Sequence, residues 1–126
     1  MSVSHPCVLI VDDEPDMLWV LGKILQYASY RVTTASTAKD ALSRVQQERF
    51  DMAFIDMKLP DMSGQQLTVA IRTVAPDLPI AMISGYYYTE DPEIQRELQQ
   101  KPYTTFIAKP FDSKAVQNVV QQMLAR

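Results

Sequence analysis

Val8-Leu9-Ile10-Val11-Asp12-Asp13-Glu14-Pro15 is the stretch on which the fold turns. An unbroken apolar run leads straight into three carboxylates. Such a run suits a strand buried on both faces. Pro15 suits the first turn of a helix, where its missing N–H costs nothing. From Pro15 to Ala28 the apolar positions Met17, Leu18, Leu21, Ile24, Leu25 and Ala28 recur at helical spacing. The opening unit is therefore a strand, an acidic corner and a helix.

The same unit recurs along the chain. Arg31 to Ala35 reads as a second strand. Thr37 to Glu48 reads as a helix, with Ala38, Ala41, Leu42 and Val45 as its apolar stripe. Thr37 with Asp40 forms an approximate capping box at its start. Met52 to Ile55 is a third strand, again ending at a carboxylate, Asp56. Ser63 can cap a helix whose inward positions are Leu67, Ala70, Ile71 and Val74. Pro79 to Ile83 is a fourth strand, followed by a thinly apolar helix over Pro92 to Lys101. Thr104 to Ala108 is a fifth strand. Asp112 or Ser113 can cap a last helix lined by Val116, Val119, Val120, Met123 and Leu124. Five strands alternating with five helices predict a single α/β domain. Its doubly wound, five-stranded parallel sheet carries helices on both faces in three layers.

Composition narrows the function. With 126 residues, 47% hydrophobic and 21% charged, the chain fits one domain with a real core. Twelve basic residues against fifteen acidic ones give a net charge of -3 with no basic cluster, so direct nucleic-acid binding is not expected. A lone cysteine, Cys7, excludes an intramolecular disulfide and suits a reducing compartment. No apolar run approaches the roughly 20 residues of a membrane span, and no secretory signal is visible. A cytoplasmic domain without membrane association is the expectation.

In open sheets of this type, ligands bind at the carboxyl ends of the strands. Those ends carry Asp12-Asp13-Glu14, Asp56, Ser84-Gly85 and Lys109-Pro110. Carboxylates about 5 Å apart, at an effective dielectric near 20, repel by about 3 kcal/mol per pair. A divalent cation removes that cost, and Mg²⁺ takes carboxylate, water and phosphate oxygens. Cation and ammonium together suit phosphoryl transfer, and a carboxylate can act as the covalent nucleophile.

At these residues the sequence resembles the receiver domain of two-component response regulators, the flavodoxin-like fold of chemotaxis-type regulators. Asp12-Asp13, Asp56, Ser84 and Lys109-Pro110 stand in the family's order, each at a strand end, with Pro60 and Gly64 after the central Asp. The resemblance spans Val8 to about Leu124 and implies a phospho-accepting switch rather than an enzyme with an external substrate. It implies that Asp56 accepts a phosphoryl group from a histidine kinase or phosphotransfer protein. Asp12, Asp13, Asp56 and the backbone carbonyl of Lys58 would ligate Mg²⁺ or Mn²⁺. Ser84 would turn toward the phosphoryl group, Lys109 would pair with it, and Phe106 would be the switching aromatic. The response would appear on the surface of the fourth helix, fifth strand and fifth helix. A phosphorylation-dependent dimer is compatible with the family. The receiver is expected to take up residues 1–126 with no output domain in this chain, so output is expected through a downstream protein or through sequence absent here.

Some positions depart from the family or stand outside its logic. Ser84 to Lys109 spans 25 positions, a few more than usual, and contains Tyr86-Tyr87-Tyr88. The turn expected to be small or Gly-rich is Gln100-Lys101-Pro102-Tyr103. A displaced, shortened or mobile helix before the fifth strand is the expectation, with Tyr86 placed to slow hydrolysis. Trp19 falls on the polar side of the first helix with Lys23 and Gln26, where it either covers the sheet edge or faces a partner. Gly22 suggests close packing. Ser29 occupies a helix-ending turn where glycine is preferred. His5 and Cys7 have no partners for a transition-metal site. Two other functions compete. A haloacid-dehalogenase-like phosphohydrolase would need an Asp-x-Asp after the first strand and a cap insertion. A constitutive protein-interaction module would leave the acidic site unused.

Overall fold

The computed structural model describes residues 5–84, 92, 104–109 and 111–124, with Ser84, Thr104 and Phe106 described in backbone only. The strands are β1 (Cys7–Val11), β2 (Arg31–Ala35), β3 (Met52–Asp56), β4 (Ile80–Ser84) and β5 (Thr104–Ala108). Among the described residues the helices are α1 (Pro15–Tyr27), α2 (Ala38–Gln47), α3 (Gly64–Val74) and α4 (Ser113–Leu124). The helix expected over Pro92–Lys101 falls, but for Pro92, outside the described residues, as do Tyr86-Tyr87-Tyr88 and the turn at Gln100–Tyr103. None of the described helices is long and apolar enough to cross a membrane.

All five strands are parallel, in the order β2-β1-β3-β4-β5. The order reverses between β1 and β3, which makes their carboxyl ends the switch point of the sheet. Period-two alternation divides each inner strand between two cores. Leu9, Val11, Ala53, Ile55, Ile80 and Met82 pack with Ala41 and Val45 of α2 and Leu67 and Ile71 of α3. Val8, Ile10, Met52, Phe54, Ala81 and Ile83 pack with Leu21 and Leu25 of α1 and Val116 and Val120 of α4. This is the three-layer sandwich that the alternating pattern predicts.

The helix ends follow their local chemistry. Thr37 caps α2 by accepting the Asp40 N–H at 3.0 Å. Ser63 and Gln66 form a reciprocal capping box at the start of α3. Of the two residues predicted to cap the last helix, Asp112 does so, accepting from the Ala115 N–H at 2.8 Å. At the end of α1, Tyr30 N–H donates to Leu25 O and Ser29 N–H to Gln26 O, both at 3.0 Å. That pattern is a Schellman motif, and Ser29 holds its left-handed position at φ 72°. Trp19 resolves in favour of exposure, with 65% of its surface accessible and Lys23 Nζ 5.8 Å from its ring centre. Gly22 is buried but not crowded: an added Cβ would meet only Val32 Cγ1, at 3.8 Å.

Candidate functional site

Register brings the acidic strand ends together. Val11 pairs with Ile55, so Asp12 and Asp56 each follow by one position on adjacent strands. Asp56 pairs with Ile83, and Ser84 pairs with Ala108, which Lys109 follows. The carboxylates of Asp12, Asp13, Glu14 and Asp56 each offer an oxygen within 4.8 Å of the others. Asp12 and Asp56 are buried, whereas Asp13 and Glu14 are exposed at the rim.

Lys109 reaches into this cluster. Its Nζ lies 3.3 Å from Asp56 Oδ2, 3.7 Å from Asp12 Oδ2 and 3.7 Å from Glu14 Oε1. Partial burial pulls its ammonium down, but the carboxylates of Asp56, Asp12 and Glu14 outweigh that and leave its pKa raised. Asp56 Oδ1 accepts the Lys58 N–H at 3.2 Å, which fixes the carboxylate against its own loop. Asp12 Oδ1 accepts the Glu14 N–H at 2.9 Å. The Asp12 carboxyl is pushed up to about 6, chiefly by burial, with the nearby Asp56 charge adding to the effect.

The loop after Asp56 is closed at its base. Gly64 N–H donates to Met57 O at 2.9 Å, and Lys58 bridges to Ser63. Gly64 is obligatory there, because an added Cβ would overlap the Asp56 carbonyl oxygen and stand 2.9 Å from Met57 Cα. Leu59 and Met62 pack against the core on the α2/α3 side.

The acidic cluster fits a divalent cation. Asp12 Oδ2 is buried and accepts no hydrogen bond, because Lys109 stands beyond hydrogen-bonding reach. A buried carboxylate oxygen without a hydrogen bond is costly. Among the described residues, four carboxylates gathered around the Lys109 ammonium leave local charge for a cation to neutralise. All oxygen donors here are hard ligands, suited to Mg²⁺ or Mn²⁺.

A family model described as the response regulator receiver domain matches residues 8–121. The chain belongs to the receiver domain family. This receiver is 29% identical over 120 residues to the response regulator receiver protein CpdR of Brucella abortus, covering 93% of this chain and 95% of that one. It is 29% identical over 124 residues to the transcriptional regulatory protein GlrR of Escherichia coli, covering 98% of this chain but 27% of that protein. The chain thus spans about a quarter of the length of that relative, and half that of the regulator TcrX of Mycobacterium tuberculosis. Among solved structures, a CheY-like receiver from Methanospirillum hungatei superposes with a TM-score of 0.88 at 29% identity, covering 97% of this chain and 95% of that one. The chemotaxis protein CheY4 of Vibrio cholerae gives 0.85 at 31% identity, covering 96% of this chain and 100% of that one.

Of the residues singled out from sequence, Asp12, Asp13, Asp56 and Lys109 converge on one edge of the receiver. Ser84 and Phe106 are placed in backbone, on β4 and β5. Glu14, named at the first strand end but given no role, joins the cluster and pairs with Lys109. Its signal was its position directly after the acidic pair. Asp61 was also missed, and its partners lie 22 and 23 positions back along the chain.

Proposed function

We propose that this receiver is a phospho-accepting switch in which Asp56 takes a phosphoryl group from the phosphohistidine of a kinase or phosphotransfer protein. The observation that carries this is the convergence of buried Asp56, Asp12 Oδ2 without a hydrogen bond, and the Lys109 ammonium at one strand edge. A carboxylate oxygen of Asp56 attacks phosphorus, a P–O bond forms, and the P–N bond to the donor imidazole breaks. The imidazole leaves with the bonding pair and takes up a proton. Lys109 stays within reach of the acceptor carboxylate and neutralises charge on the transferred oxygens. The Lys58 N–H orients the same carboxylate through Oδ1.

Asp12, Asp13, Asp56 and the Lys58 carbonyl would hold Mg²⁺ or Mn²⁺. Such an ion, when bound, supplies charge neutralisation on the phosphoryl oxygens. The switch would act in the cytoplasm, without external turnover. Its modified state would be read by a downstream protein or by an output segment of a longer chain, through the surface that Ser84 and Phe106 adjoin.

The test is intact mass after incubation with Mg²⁺ and acetyl phosphate. One phosphoryl group per chain, absent from Asp56→Asn and from EDTA-treated protein, is the expected result. An unmodified wild-type chain would leave the acidic edge without this role and favour the constitutive interaction module. Continuous phosphate release from general monoesters would favour the hydrolase.

A further inference from the structure

We propose that Asp61 is a positioning residue: it ties the tip of the acceptor loop to the first turn of α2 and thereby sets the divalent-cation affinity of the site. The inference rests on the receiver reading of the Asp12/Asp56 edge. It adds a residue that touches neither the cation nor the phosphoryl group.

The first turn of a helix leaves N–H groups without partners inside the helix. In α2 three of these are satisfied from two sources. Thr37, the neighbouring residue, takes the Asp40 N–H. Asp61 takes the other two, with Oδ1 accepting from Ala38 and Oδ2 from Lys39, each at 2.9 Å. The carboxylate is thus gripped through both oxygens at the positive end of the helix. Those two N–H groups also hold the Asp61 carboxyl below the usual carboxylate range.

The consequence follows from where Asp61 sits. It lies between Lys58 and the Ser63 cap of α3, in the loop whose base is closed by Met57, Lys58, Ser63 and Gly64. Leu59 and Met62 rest that loop on the core through apolar contact, which leaves the direction of the polar backbone between them to be set by hydrogen bonds. Asp61 fixes the loop's tip against a separate element, the first turn of α2. A backbone carbonyl ligates a cation well only when its direction is held, and groups that hold metal ligands commonly change affinity tenfold or more. Thr37 and Asp61 therefore both cap α2, but only Asp61 also belongs to the loop that bears the Lys58 carbonyl.

That difference defines the experiment. Mg²⁺ binding to the whole chain is measured by calorimetry for wild type, Asp61→Ala, Asp61→Asn and Thr37→Ala, alongside the urea midpoint of each. Asp61→Ala should weaken Mg²⁺ binding about tenfold. Asp61→Asn keeps one acceptor and should fall between it and wild type. Thr37→Ala should lower the urea midpoint while binding Mg²⁺ within about twofold of wild type. Because linkage is reciprocal, Mg²⁺ should also slow amide exchange at Ala38 and Lys39 in wild-type protein, a readout that needs no variant to fold. Asp61→Ala binding as tightly as wild type, or exchange at those amides unmoved by Mg²⁺, overturns the inference. Equal weakening by Thr37→Ala overturns it too, since loss of either cap would then act through α2 alone. Wild-type protein that binds no Mg²⁺ would instead overturn the receiver chemistry beneath it.

Discussion

Asp12→Asn should stabilise the metal-free receiver, although it removes a residue central to the site. Asp12 is fully buried, its Oδ2 accepts no hydrogen bond, and its carboxyl is raised from 3.8 to about 6. The folded state therefore holds the Asp12 proton more tightly than the unfolded state does. Stability from this group is fully present below about pH 4 and is lost as pH rises through about 6. Above that range the ionised carboxylate costs roughly two pK units, or about 3 kcal/mol, relative to a neutral side chain. Asparagine is neutral, nearly isosteric, and can still accept the Glu14 N–H through its amide oxygen. Urea unfolding followed by far-ultraviolet circular dichroism, in EDTA at pH 8, should place the variant about 1–2 M above wild type. The gap should shrink to about 0.5 kcal/mol at pH 4. Saturating Mg²⁺ should raise wild type and leave the variant nearly unmoved, because ligand binding stabilises only the form that binds. A variant no more stable than wild type at pH 8 in EDTA, or a gap that ignores pH, would refute the account of a buried carboxylate short of hydrogen bonds.

Gly64→Ala should cost about 2–4 kcal/mol and weaken Mg²⁺ binding, because a Cβ there overlaps the Asp56 carbonyl oxygen and drives α3 off the acceptor loop; an unchanged urea midpoint would count against it. Ser29→Gly should raise stability by about 0.5–1 kcal/mol by relieving the left-handed position that ends α1, again read from the urea midpoint. Gly22→Ala should gain a similar amount, since helix propensity favours alanine by about 1 kcal/mol and the new methyl meets only Val32 Cγ1 at 3.8 Å; a loss of stability would mean that α1 packs against β2 more tightly than that distance allows.

Much of this receiver was legible because its signals are local. β2 and β5 run over the expected residues, β1 and β3 differ by one position at one end, and β4 is shifted by one position at both ends. Acidic and basic residues at strand ends needed only the parallel register to bring them together. What the sequence withheld depends on long-range placement. Asp12 and Asp13 are adjacent and chemically identical, yet one is fully buried and the other lies at the rim, because Asp12 continues the buried line of β1. Glu14 joins the site because the Asp12 carboxylate accepts its N–H and turns the chain back toward Lys109. The role of Asp61 was hidden because Thr37 explains the start of α2 locally, and the loop that shares the task comes from the far side of β3.

Wild-type protein should be phosphorylated in the presence of Mg²⁺, reduced with borohydride and mapped by peptide mass spectrometry. Borohydride converts an aspartyl phosphate to homoserine and leaves free carboxylates intact, so the chemistry marks the acceptor itself. Homoserine at position 56, and at none of positions 12, 13 or 14, is the predicted result. Homoserine at another carboxylate, or none in a protein that binds Mg²⁺, would contradict Asp56 as the acceptor.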